Sequence, residues 1–185
     1  MASGLAAKRL ELLKEALPGI SRVLVLSYLV DPIAPLQVQA LKEAAPSLGL
    51  TLQIQDIRTA DDLPAAFDAG SRERCQGLLV TAESIFLVER ARVTALAARH
   101  AFPAIYPFAE FVVDSGGLMA YHVIEPVLYR HAATYVDLIL KGAKPSDLAV
   151  QQPSNVQLII NQRTAKTLGV TVAPSLLARA DDVIE

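Results

Sequence analysis

One cysteine, Cys75, and no tryptophan occur in these 185 residues. A lone cysteine excludes an internal disulfide and a multi-cysteine metal site. Its place just ahead of an apolar run suits a buried, inert thiol. An excess of charge of either sign is missing too: 17 Lys and Arg face 19 Asp and Glu, a formal net charge of −2, and the basic residues are scattered. No electrostatic footprint for nucleic acid results. No apolar run reaches the roughly 20 residues that cross a bilayer. The phosphate-cradling patterns G-x-G-x-x-G and G-x-x-x-x-G-K-[ST] are absent, as is the G-x-S-x-G nucleophile elbow. His100, His122 and His131 show no paired metal spacing of the H-E-x-x-H kind. Asp61-Asp62 suits helix capping and Asp181-Asp182 has no visible partner, so neither reads as an acid/base pair. The N-terminal stretch Leu5–Glu15 is amphipathic and charged, unlike an export signal.

Hydrophobic residues, mostly aliphatic, make up 52% of the chain. Four short apolar runs recur at a near-constant pitch: Arg22–Ser27, Leu52–Ile57, Gly77–Thr81 and Pro103–Tyr106. Val23–Leu26 is continuously apolar, as in an interior parallel strand. Gln53 and Gln55 alternate with apolar residues in the second run, which places it nearer a sheet edge. Helices are expected over 5–16, 34–47, from Thr59 or Asp61 to about Gly70, and over 85–100. The pattern is βαβαβαβ with right-handed crossovers. After Tyr106 the rhythm changes: Gly116-Gly117 punctuates, Leu118–Val123 is a new extended run, and a long helix fills about 125–141. Val156–Ile160 is a further strand, Asn161 caps a short helix ending at Gly169, and a polar tail closes the chain.

A parallel sheet concentrates binding chemistry at the carboxyl ends of its strands. The loops there supply Ser27 and Tyr28, then Thr81, Glu83 and Ser84, then Tyr106 and Phe108. Backbone N–H groups at a helix start near Ser84 suit a ligand carboxylate, and Glu83 suits an amine. Tyr121 and His122, ending the fifth extended run, lie near the same crevice. Each has a purely structural alternative: Thr81 and Ser84 are natural helix caps, and Tyr28 can pack on its own loop. No activated nucleophile or matched acid and base is evident, so binding without catalysis is expected, with no cofactor and no metal. A flavodoxin-like or response-regulator-like enzyme or signalling domain, and an effector-binding module of a regulator, are the competing readings.

The segments G-L-A-A-K-R-L-E-L-L-K-E-A-L-P-G (4–19), P-A-I-Y-P-F-A-E-F-V (103–112), G-G-L-M-A-Y (116–121), A-A-T-Y-V-D-L-I-L-K-G-A-K-P-S-D-L (132–148) and N-Q-R-T-A-K-T-L-G-V (161–170) span nearly the whole chain. Together they resemble the C-terminal portion of ABC transporter substrate-binding proteins of the tryptophan/tyrosine-uptake type, within the type I periplasmic binding-protein fold. That resemblance implies a three-layer α/β lobe with helices on both faces, plus a crossing strand and a helix from the first lobe. It divides the chain into a linking helix (1–20), a βα lobe (21–107), a hinge crossing with a first-lobe helix (108–150), and a return strand, short helix and tail (151–185). It places ligand contacts in the loops carrying Ser27-Tyr28, Thr81–Ser84 and Tyr106–Phe108. The implied ligand is an amino acid or small carboxylate, and the implied partner is a membrane permease. The parent family acts in the periplasm or outside the cell; with no signal in these residues, the chain is expected to act in the cytoplasm if this is the complete product, or else to follow a signal lying upstream. Helices 5–16 and 125–141 are expected to expose apolar residues such as Leu5, Leu12, Val136 and Ile139, and so to drive homodimerisation.

Overall fold

The computed structural model describes residues 2–149 and 155–185. β1 (Arg22–Ser27), β2 (Thr51–Asp56), β3 (Gly77–Val80) and β4 (Ala104–Tyr106) form where the four apolar runs predict. They continue into β5 (Met119–Val123), β6 (Val156–Asn161) and β7 (Asp182–Ile184), in one sheet ordered β2-β1-β3-β4-β5-β6-β7. β1 pairs in parallel with β2 and β3, and Val23, Leu24, Val25 and Leu26 are fully buried. β2 is an edge strand and partly exposed along its length, in keeping with Gln53 and Gln55.

The sheet is mixed rather than wholly parallel: β6 runs antiparallel to β5, with Met119 opposite Ile160 and Val123 opposite Val156. A parallel return needs a crossover element packed on the sheet face. The element between these strands, α7 (Glu125–Leu140), has no buried residue. The chain therefore comes back beside β5 in the opposite direction. The polar tail is not a tail but β7, parallel to β6 and held by the Asp181 carboxylate accepting from Leu158 N at 2.7 Å.

Helices cover both faces. α1 (Ala2–Ala16) and α2 (Ala34–Ala44) lie on one face with α8 (Gln162–Thr167) and α9 (Pro174–Leu177). α3 (Leu63–Arg72), α4 (Ser84–Val88), α5 (Arg90–Arg99) and α6 (Glu110–Val113) lie on the other. The helix expected over 85–100 is two helices, meeting at Glu89, whose φ of −88° and ψ of 14° interrupt the first. Asn161 caps α8 as expected, its side chain accepting from Thr164 N at 3.1 Å. The Asp62 carboxylate accepts from the backbone N–H groups of Thr59 and Arg58, which hold its pKa below the usual value.

One expectation fails at α1. Leu12 is not exposed but buried with Ala6, Leu10, Leu13 and Ala16 against this sheet, and Leu5 is half-buried. Each buried leucine contributes roughly 1.5–3 kcal/mol, which is why the helix docks here. At α7 the expectation stands: Val136 and Ile139 are 56% and 42% exposed, and Tyr129 and Leu140 more so. The expected boundaries at 20–21 and 107–108 fall in the connections α1–β1 and β4–α6, and that at 150–151 lies outside the described residues. No helix among the described residues is long and apolar enough to cross a membrane.

Candidate functional site

At the carboxyl ends of β1 and β3, a polar cluster lies on the α1–α2 side of the sheet. Thr81 and Glu83 are 0% and 1% exposed, and Gln37 of α2 is fully buried beside them. Gln37 Nε2 donates to Glu83 Oε1 at 2.8 Å, and Gln37 Oε1 accepts from Ala82 N at 3.0 Å. The Thr81 hydroxyl lies 2.9 Å from Leu26 O and 2.5 Å from Glu83 Oε2. It has one proton for two acceptors. Burial pushes the Glu83 carboxyl up to about 7, against opposing hydrogen bonds from Thr81 and the Tyr28 backbone and the attraction of Arg9. A protonated Glu83 donates to Thr81, which then donates to Leu26 O, and the proton shortage disappears.

Arg9 reaches this cluster from α1. It is 2% exposed, and its Nε donates to Tyr121 O at 2.8 Å. Burial lowers its pKa to about 10, so the guanidinium keeps its charge at neutral pH, supported by Glu83. Its Nη1 has no hydrogen-bond partner. Ser27 Oγ, at the end of β1, and His122 Nε2, near the end of β5, share that condition. Among the described residues these are the buried side-chain polar atoms without partners, and all three belong to the carboxyl-end edge. Buried polar groups are nearly always paired, so an edge where such vacancies gather has unused hydrogen-bonding capacity.

His122 lies on the opposite face of β5 from Tyr121. With Phe108, Glu110 and Glu125 it lines a cavity of about 280 Å³ between the turns that follow β4 and β5.

The expected site residues thus separate. Ser27, Thr81 and Glu83 gather in the cluster, with the Tyr28 backbone beside Glu83 and the Tyr28 side chain packed against the core on the other face of the sheet. Tyr121 meets Arg9 through its carbonyl. Phe108 and His122 share the cavity. Ser84 is exposed at the start of α4, a helix of five residues with little dipole to offer a carboxylate. Tyr106 is 1% exposed, and its ring stacks on Phe111 with centroids 4.5 Å apart. Burial raises its phenol well above the usual value. Its ring borders a different cavity of about 270 Å³, between α5 and α8. Gly117 holds it there: a Cβ at that position would stand 2.5 Å from Tyr106 Cε2 and 2.8 Å from Phe111 O.

Sequence reasoning missed Arg9, Gln37, Glu110 and Glu125. For the first two a signal existed. Arg9 interrupts the apolar stripe Ala6, Leu10, Leu13, Ala16, and Gln37 interrupts Ala34, Val38, Leu41; a polar residue on a buried stripe needs partners.

Solved structures share this fold. A domain from Streptococcus pneumonia in complex with L-Trp superposes with a TM-score of 0.87 at 23% identity, over 97% of this chain and 62% of that one. A conserved domain protein from Vibrio cholerae gives 0.89 at 24%, over 96% and 60%. A substrate-binding protein with adhesive properties from Clostridium difficile, in its ligand-free, open form, gives 0.71 at 22%, over 96% and 59%. The chain therefore spans about three fifths of the length of these structures. No curated protein matches the sequence. The family model described as ABC transporter substrate binding protein matches residues 3–184. This chain belongs to that family.

Proposed function

We propose that the chain is a solute-binding component of an ABC uptake system, of the tryptophan/tyrosine-uptake type, that takes an amino acid or small carboxylate at the carboxyl-end edge of its sheet. The observation that carries this reading is the pair of unpartnered buried atoms Arg9 Nη1 and Ser27 Oγ on the α1–α2 side of that edge, where the Glu83 cluster lies. A guanidinium donor and a hydroxyl suit a ligand carboxylate. The L-Trp bound to the pneumococcal relative supports an amino acid. The site has hydroxyls, rings and buried charges without a nucleophile–base pair, which fits capture and release. A membrane permease is the expected partner, and the periplasm or cell exterior the expected place of action. The uncovered apolar face of α7, with Val136 and Ile139, is the surface through which two copies are expected to associate.

Native mass spectrometry of protein purified without denaturation, followed by thermal-shift screening of amino acids and small carboxylates, tests both parts. The expected result is a dimer mass and either a retained small molecule or a saturable rise in melting temperature that weakens in Ser27→Ala. A library without a single saturable shift, and no retained molecule, would sink the ligand reading. A monomer mass at micromolar concentration would sink the dimer.

A further inference from the structure

The cavity of about 270 Å³ between α5 and α8 lies at the amino-terminal pole of the sheet, opposite the carboxyl-end edge. It exists because small residues stand where larger ones would fill it. Ala97 and Ala98 close α5, Ala101 follows it, and Gly116 and Gly117 precede β5. Ala98, Ala101, Gly116 and Thr167 are exposed and form its mouth. Phe102, Ala104, Tyr106, Gly117 and Leu118 are buried and form its floor. Among the described residues, no Asp, Glu, Lys, Arg or His lines it.

Small residues alone would leave only a dent in the surface, but one side chain gives this space a chemistry. Tyr106 ends β4, yet its ring lies against Gly117, ahead of β5, and so turns back toward this cavity. The residue is 1% exposed, and its phenol has no hydrogen-bond partner among the described residues; burial alone raises its pKa. Its oxygen nevertheless differs from Arg9 Nη1, Ser27 Oγ and His122 Nε2, which are sealed from solvent. It keeps accessible surface, and this cavity is the space that Tyr106 borders. The other polar groups of the wall are threonines whose protons are already used. Thr94 Oγ1 donates to Arg90 O at 2.9 Å, Thr164 Oγ1 to Gly116 O at 2.7 Å, and Thr167 Oγ1 to Arg163 O at 3.0 Å. The Tyr106 phenol is therefore the side-chain donor that still has a proton to give here.

A charged ligand would meet no counter-charge, and an ion against an apolar wall is costly. A hydrocarbon would leave the phenol unpaired. Water would pair with the phenol but leave the alanines, Phe102 and Leu118 hydrated, and an apolar body that displaces such loosely held water gains affinity. A neutral molecule with an oxygen acceptor on an apolar body answers both the wall and the donor. The volume exceeds the roughly 150 Å³ that accommodates benzene, so a ring bearing a carbonyl group fits.

We propose that this cavity is a second ligand site, for small uncharged carbonyl or hydroxyl compounds with an apolar body, oriented by the Tyr106 phenol as hydrogen-bond donor. It lies away from the carboxyl-end edge and does not depend on what binds there.

The test is amide-correlation NMR of the nitrogen-labelled full chain, titrated with acetophenone, ethylbenzene and benzoate. These share a ring and differ in the oxygen acceptor and in charge. Acetophenone is expected to give saturable shifts at Tyr106, Gly116–Leu118 and Thr164–Leu168. Ethylbenzene binds about fivefold more weakly and benzoate at least about tenfold. Tyr106→Phe weakens acetophenone about fivefold and leaves ethylbenzene unaltered, which isolates the phenol. Ala98→Leu, at the exposed mouth, weakens both. Melting curves accompany the titrations: Tyr106→Phe is expected to melt no lower than the parent, because the hydroxyl it removes has no bond to lose. A lower midpoint for that variant would show the phenol paired within the fold and would overturn the proposal. Equal binding of benzoate, indifference of acetophenone to Tyr106→Phe, shifts confined to Ser27, Tyr28 and Phe108, or no saturable shift would overturn it as well.

Discussion

Phe111→Ala is expected to cost about 3–5 kcal/mol of folding free energy and to lower the melting midpoint by on the order of 10 °C. Phe111 is fully buried and stacks between Tyr106, at 4.5 Å between centroids, and Phe108, at 6.5 Å. Its carbonyl accepts from Gly117 N at 2.8 Å, which pins the backbone on both sides of the ring. A cavity opened here cannot close easily, since Gly117 already fits against Tyr106 without room for a methyl group. The loss therefore belongs in the upper part of the range for such truncations. Phe111→Leu keeps most of the volume and should cost less than half as much. The effect extends to the site, because Phe111 backs Phe108 and so positions one wall of the cavity that holds His122. Urea unfolding followed by circular dichroism measures it. A loss below about 1 kcal/mol would mean that the stack relaxes into the void, contrary to the close packing argued here.

What the sequence made legible follows a physical line. Continuous apolar runs and their turns declare interior strands, so β1, β3 and β4 were visible, and the glutamines of β2 marked it as an edge. Strand direction is set instead by what the connection packs against. Nothing in Val156–Ile160 reveals that it runs against β5, because the cause is that α7 stays off the sheet. The polarity of Asp181-Asp182 hid β7, where one carboxylate serves as a backbone acceptor. At the site, residues carried by strand-end loops were legible by position alone: Ser27, Thr81, Glu83, Phe108 and His122 all lie at the expected edge. Position did not say which way a side chain turns. Tyr106 ends a strand as expected yet points into the core, while Arg9 and Gln37 reach the edge from helices whose apolar stripes disguised them. Long side chains carry chemistry away from their own backbone, and a one-dimensional pattern does not follow them.

Glu83→Gln is expected to stabilise the protein at alkaline pH and to flatten its pH dependence. The Glu83 carboxyl stands at about 7 in the fold against 4.5 in an open chain, chiefly through burial. The folded state thus holds this proton more tightly than the unfolded state. The stability it contributes is complete below about pH 4.5, declines as pH rises, and is lost through about pH 7. The shift corresponds to about 3 kcal/mol. Glutamine removes the charge and keeps the shape. Its oxygen still accepts from Gln37 Nε2, and its amide nitrogen donates to Thr81 Oγ, which is then free to donate to Leu26 O. Arg9 loses an opposite charge in the exchange, but its bond to Tyr121 O remains, and its attraction to Glu83 is the smallest of the causes acting on that carboxyl. The net gain above neutrality should therefore be about 2 kcal/mol, shrinking toward zero near pH 5. Urea midpoints of parent and variant across that interval provide the measurement. A variant less stable than its parent at pH 8 would show that the ionised carboxylate is held by stronger pairing than burial can undo. The same titration then bears on binding. A Glu83 that charges near neutrality adds a negative charge to one wall of the edge at the pH where a ligand carboxylate would approach Arg9, so capture of an acidic group is favoured when Glu83 keeps its proton.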